Sequence, residues 1–194
     1  MKNLKTSIVS MTVVMVSLFF ISSCMNNTKV VTPEQSPSTF NTLSYTNDIN
    51  FLVSAAEINI EQISLGKLAQ LKGIQKHVID LGKMIDEEHT NSMMALTVLA
   101  ETKDIKLPSA VKDDAMDDFK LLEDKTRDDF EKAFSDMVVK KQQEAIAIFE
   151  KGSIESNYPD VKAWAIAAIP TLRHLLEQAL ICQKECNKVK SPSK

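Results

Sequence analysis

Past Asn47 the apolar side chains recur every three or four positions and hold that interval to the end of the chain. This is the 3.6-residue period of an amphipathic helix. The spacing predicts a first long helix over 48–72, with Phe51, Ala55, Ile58, Leu65 and Leu68 on its buried side and Gly73 as its break. A second is predicted over 74–102, with Val78, Leu81, Ile85, Leu96 and Leu99 inward. Two long helices joined so briefly pack antiparallel. Residues 104–109, with Pro108, form a loop, and a shorter helix is expected over 110–122 with Val111, Ala115, Phe119 and Leu122 in phase. Thr126 reads as the N-cap of a third long helix, with Asp129 in the place of a capping-box acid. That helix turns Phe130, Phe134, Met137, Val138, Ala145, Ile148 and Phe149 inward and frays over 152–158. Pro159 suits a first helical turn, where its missing N–H costs nothing. The last helix then carries Val161, Ala165, Ala168, Leu172, Leu175, Ala179, Cys182 and Cys186 as one stripe, with a kink expected at Pro170.

The link between the second and third long helices spans about twenty residues and contains a helix of its own. It is long enough to run back along the molecule and leave those two helices parallel. The predicted fold is therefore all-α: a ferritin-like four-helix bundle whose crossover holds an extra short helix.

Before residue 47 the pattern is different. Lys2 and Lys5 precede an apolar run over 8–21, about fourteen residues where a bilayer span takes about twenty. The run ends in Ile21-Ser22-Ser23-Cys24, which resembles the bacterial lipobox, whose cysteine is acylated and becomes the new N-terminus. An ordinary signal peptide with an incidental cysteine is the alternative. Several acyl chains on Cys24 would anchor the protein stably. Met25 follows in place of an aspartate, which by the familiar bacterial sorting rule favours the outer membrane, here on its periplasmic side. The expected organisation is a lipoprotein signal peptide over 1–23, a flexible tether over 24–46 rich in Asn, Thr, Ser and Pro, the bundle over 47–187, and a basic disordered tail over 188–194.

Composition narrows the choice further. With 44% hydrophobic and 25% charged residues the chain is neither a disordered polymer nor a polytopic membrane protein. Four glycines and 6% aromatics argue against a turn-rich β-sandwich. Losing Lys2 and Lys5 takes the net charge from −3 to −5, and 112–131 alone sets nine acids against four bases. With no basic stripe, nucleic acid is not an expected partner. The acidic stretch reads as a solvated helix face, or as an attraction for cations or basic partners.

Four stretches carry a resemblance: 51–69 (FLVSAAEINIEQISLGKLA), 81–90 (LGKMIDEEHT), 138–150 (VVKKQQEAIAIFE) and 169–179 (IPTLRHLLEQA). Together they resemble a ferritin-like bacterial family of unknown function, often described as outer-membrane or periplasmic proteins. The resemblance implies a decayed di-metal carboxylate site. Its first-helix glutamate matches Glu61 and its acid-histidine pair matches Glu88-His89. The third-helix histidine is replaced by Gln142, followed by Gln143. The last falls at Leu175, with His174 one residue early.

From the residues themselves, Glu61 lies between Ile58 and Leu65 in phase, Glu88 and His89 interrupt the stripe after Ile85, and Gln142 falls between Val138 and Ala145. They form one expected polar layer near the middle of the bundle, in which a buried Glu61 would need His89 or Gln142 as partner. The candidate metal ligands are Glu61, Glu88 and His89, for a single divalent ion; otherwise no cofactor is expected. Asp86 and His89 offer half of a Glu-x-x-His-type motif, and Thr171 and His174 offer no carboxylate. His77, by the Gly73 turn, reads as a surface histidine. Cys182 and Cys186 continue the core stripe; in an oxidising compartment they could instead pair or sense redox state. No phosphate loop or nucleophile triad emerges. The expected function is a non-enzymatic envelope lipoprotein, a binding or interaction module whose partners are the membrane through Cys24 and an envelope protein or cation. The alternative is a metal-binding or oxidative-stress protein using the partly lost carboxylate–histidine site.

Overall fold

The computed structural model describes residues 37–188. The signal segment, the lipidation position Cys24, the tether up to residue 36 and the tail from 189 onward lie outside the described residues. Among those described there are five helices and no strand: α1 (Pro37–Lys72), α2 (Lys76–Glu101), α3 (Asp113–Glu123), α4 (Arg127–Glu155) and α5 (Pro159–Lys188).

Helix α1 opens at Pro37, so 37–46, expected to belong to the tether, is helical. Proline is well suited to a first helical position because its fixed φ is already helical. Helix α2 starts two residues later than expected, because the backbone N–H groups of Ile74 and Gln75 are turned onto the carboxylate of Glu131 in α4, at 2.8 and 2.6 Å. It ends in a Schellman turn, with Ile105 N–H donating to the Ala100 carbonyl and Asp104 N–H to that of Glu101. Asp104 takes the left-handed φ of 54° that this turn requires, a conformation aspartate tolerates better than most residues. Thr126 is the N-cap of α4, as expected, but its side chain makes no capping hydrogen bond, so its own half of the expected capping box is missing. Arg127, with φ of 29°, brings the chain into the helix along another path. Helix α5 runs unbroken through Pro170, whose exposed position leaves the Ile166 carbonyl, deprived of its donor, on the wet side.

The apolar core falls into two clusters. One holds Leu65 and Leu68 of α1, Val78, Leu81 and Ile85 of α2, Phe130, Phe134 and Val138 of α4, and Leu175, Cys182 and Cys186 of α5. The other holds Leu52 of α1, Leu96 of α2, Ala145 and Phe149 of α4, and Val161, Ala165 and Leu172 of α5. The C-terminal half of α1 thus lies beside the N-terminal halves of α2 and α4 and the C-terminal half of α5. It follows that α2 and α4 run in one direction and α1 and α5 in the other. Helix α1 packs on α2 and α4, α5 packs on α4 and α2, and α3 bridges α1 and α4 from outside.

Two glycines set the approach of α1 to α2. A Cβ on Gly66 would come 2.6 Å from the Gly82 carbonyl oxygen and 2.8 Å from the Asp86 nitrogen. Only backbone without a side chain fits that crossing.

Candidate functional site

Between the two apolar clusters α1, α2 and α4 each contribute polar residues at the same level. Asn59, Gln62, His89 and Gln142 are fully buried there, with His89 at 1% exposure. His89 lies four residues after Ile85, Gln142 four after Val138, and Asn59 and Gln62 fill the gap between Ala55 or Ala56 and Leu65. Each helix therefore presents its layer residue on the face that presents its core.

The histidine is held from both sides. Its Nδ1 is 2.9 Å from Asn59 Oδ1, and its Nε2 is 3.0 Å from Gln142 Nε2. A carboxamide oxygen accepts and a carboxamide nitrogen donates, so the ring carries its proton on Nδ1 and receives a hydrogen bond at Nε2. This is the neutral imidazole. Burial holds its pKa down at about 4, from an ordinary value of 6.5, because it strips water from the charged form and no anion among the described residues offsets that. Three atoms of the layer have no protein partner: Asn59 Nδ2, Gln62 Oε1 and Gln142 Oε1. One donor and two acceptors have the complementarity that an interior water satisfies.

Glu61 is not part of this layer. It sits one residue from Gln62, about 100° round the helix, and its carboxylate meets Lys141 Nζ at 2.8 Å. Lys141 also lies 3.9 Å from Asp118 of α3. Burial alone would lower the Lys141 pKa; the hydrogen bond and charge of Glu61, with Glu144 and Asp118, outweigh it and raise the value. Glu88 is half-buried beside a cleft between α2 and α5 of about 200 Å³, whose walls include His89, Trp164, Thr171 and Leu175. Glu61, Glu88 and His89 do not bring their ligand atoms within 4.8 Å of one another; among the described residues that closeness is reached by a different trio. His174 is exposed, with Glu177 at 4.0 Å, and Leu175 is buried in the core.

A di-metal carboxylate centre needs carboxylates from several helices and imidazoles with a free ring nitrogen. Here the interior layer offers three carboxamides and one imidazole with both nitrogens engaged. These residues do not fit such a centre.

The trio that does converge lies at one end of the molecule. His77, in the first turn of α2, and Cys182 and Cys186, in the last turns of α5, place their donor atoms within 4.8 Å of one another. His77, expected at the surface, is half-buried, and its Nε2 lies 3.5 Å from Cys186 Sγ. Both thiols are free and buried in the core, where the stripe of α5 puts them. Cys186 is pulled down to about 6 from 9.0, first by its hydrogen bond with Cys182 and then, against the cost of burial, by His77 and Ser135. Cys182 is pushed up by the same hydrogen bond and by burial, with the Glu131 charge adding to it.

Sequence reasoning found His89, Gln142 and the two cysteines and missed Asn59, Gln62 and the place of His77 beside the cysteines. Asn59 and Gln62 carried a usable signal: they continue the phase of Leu52, Ala55 and Ala56 into Leu65. The class defined here is an all-α protein with a neutral polar layer across its core. The chain belongs to the family described as domain of unknown function DUF4142, whose model matches residues 32–180. No curated protein and no solved structure matches it.

Proposed function

We propose that the protein is an envelope lipoprotein, anchored through acylated Cys24 on the periplasmic side of the outer membrane, and that its helical domain is a non-enzymatic binding or interaction module. The four long helices form a ferritin-like bundle with one crossover. The parallel course of α2 and α4 and the position of α3 in the link between them support that reading. The observation that carries the functional reading is the double hydrogen bond on His89, together with the neutralisation of Glu61 by Lys141. The level at which a ferritin-like protein would hold metal is here closed by amide–imidazole contacts.

The cleft between α2 and α5 is the opening that reaches this layer. Its volume of about 200 Å³ is below the roughly 300–1,000 Å³ of small-molecule sites, and suits a side chain or short segment of a partner. Recognition then comes from the Trp164 ring and the half-buried Glu88 carboxylate at its rim. The partners are the membrane, through the lipid, and another envelope protein; no nucleic acid is involved.

The test has two arms on the full-length chain. In a bacterial host, palmitate should label the protein and the label should vanish in Cys24→Ala; an unlabelled wild type would overturn the anchor. After loading with Fe(II) or Mn(II), elemental analysis should find no metal that depends on Glu61, Glu88 or His89. Stoichiometric metal lost in Glu61→Ala or His89→Gln would overturn the non-enzymatic reading.

A further inference from the structure

The start of α2 and the end of α5 bring together an imidazole and two thiols that the polar layer does not use. The Cys182 and Cys186 side chains share one face of α5, a helical turn apart, and His77 reaches them from α2. In a bound site, bonds of about 2.3 Å to sulfur and about 2.0 Å to nitrogen set neighbouring donors roughly 3.5 Å apart. The separation of His77 Nε2 from Cys186 Sγ is 3.5 Å, and all three donor atoms lie within 4.8 Å of one another.

The surroundings fit a cation. Cys182 and Cys186 are 2% and 6% exposed, so an ion held there is shielded from water. Both thiols are free, and once deprotonated in so dry a place each needs positive charge close by. A cleft of about 160 Å³, walled by His77, Met84 and Cys182, gives an ion a way in from solvent.

We infer that His77, Cys182 and Cys186 form a binding site for one thiophilic closed-shell metal ion, Zn(II) or Cu(I). Thiolate donors select these ions over Mg(II), Ca(II) or Mn(II). Cu(I) is satisfied by the three protein donors in a trigonal arrangement; Zn(II) would take a fourth ligand from the cleft. On binding, the two thiols release their protons and the helix ends are tied together. The site is separate from the polar layer and does not depend on the function proposed above: its metal responds to cysteine substitutions and not to changes at Glu61 or His89.

The full-length protein, reduced and freed of metal, is titrated with Co(II) as a spectroscopic probe. Thiolate-to-cobalt charge transfer should saturate at one equivalent, then be displaced by Zn(II) and by Cu(I), and the ion that competes at the lower free concentration is the preferred occupant. The band should be lost in Cys182→Ser and in Cys186→Ser and be unchanged in His174→Ala. Affinity should fall about tenfold or more in His77→Ala. Survival of the band in both cysteine variants, or absence of the band together with unchanged thiol modification rates in the presence of Cu(I), would overturn the site. Should either serine variant fail to fold, alkylation of the wild type decides the matter. One equivalent of Zn(II) or Cu(I) should slow modification of Cys182 and Cys186, read peptide by peptide, by about tenfold or more; unchanged rates would overturn it.

Discussion

Glu61 meets Lys141 at 2.8 Å across the α1–α4 contact, and it does so from the flank of the helix rather than from its buried face. Both side chains are largely shielded, at 16% and 17% exposure, so the pair is screened less than an ordinary surface bridge. A double-mutant cycle with Glu61→Gln and Lys141→Met should give a coupling of about 1 kcal/mol in urea unfolding. Zero coupling, or a Glu61→Gln variant that shifts the titration of His89, would place the carboxylate in the polar layer after all.

The neutral state of His89 has a consequence for stability against pH. In the unfolded chain its imidazole titrates near 6.5, and in the fold near 4. Between those values the unfolded state binds a proton that the folded state refuses, so stability rises with pH. The contribution is fully present above about pH 6.5, is lost as pH falls towards 4, and changes no further below that. The depression from 6.5 to about 4 corresponds to about 3 kcal/mol. In His89→Gln the decline of unfolding free energy between pH 7 and pH 4 should be shallower by about that amount. Parallel curves for the two proteins would mean that the imidazole is not buried neutral.

Much of this was legible in the chain because helical periodicity is strong where cores are apolar. Ile85, Phe130, Phe134, Leu172 and Leu175 all lie where their spacing put them. The layer was legible only in part, since polar residues inside a stripe are invisible to a reading that follows apolar ones. A helical phase through Ile58 and Leu65 turns Glu61 inward. The buried line in fact runs through Leu52, Ala55, Asn59, Gln62 and Leu65, with Ile58 only half-buried on its edge. His77 carries no signal of its own in the sequence, because its neighbours Cys182 and Cys186 lie more than a hundred positions away and only the common end of α2 and α5 brings them together.

The Gly66–Gly82 crossing predicts a cost that helix propensity would not suggest. Alanine is a better helix former than glycine by about 1 kcal/mol in an exposed helix interior. At Gly66, however, the added methyl would meet the backbone of Gly82 and Asp86, and at Gly82 it would lie 2.7 Å from the Ala69 Cβ and 2.8 Å from the Gly66 carbonyl. Backbone cannot rotate aside, so α1 and α2 must separate. Gly66→Ala and Gly82→Ala should each destabilise by about 1–3 kcal/mol in thermal or urea unfolding. A stabilising effect of either would show that the two helices do not touch there.

Glu131 is the residue whose loss should be felt at a distance from its own helix. Gln75, the N-cap of α2, makes no side-chain capping bond, and the free N–H groups at this helix start are met instead by Glu131 from α4. A carboxylate at a helix N-terminus gains both from charged hydrogen bonds and from the helix dipole. Glu131 is 4% exposed, so water cannot readily replace it. Glu131→Ala should therefore cost about 2 kcal/mol, and Glu131→Gln, which keeps an acceptor oxygen, roughly half as much. Amide hydrogen exchange locates the effect: protection at Ile74 and Gln75 should fall sharply in Glu131→Ala, ahead of any change in the amides around Leu96. Equal loosening across α2 would mean that Glu131 supports the fold generally and does not cap this helix.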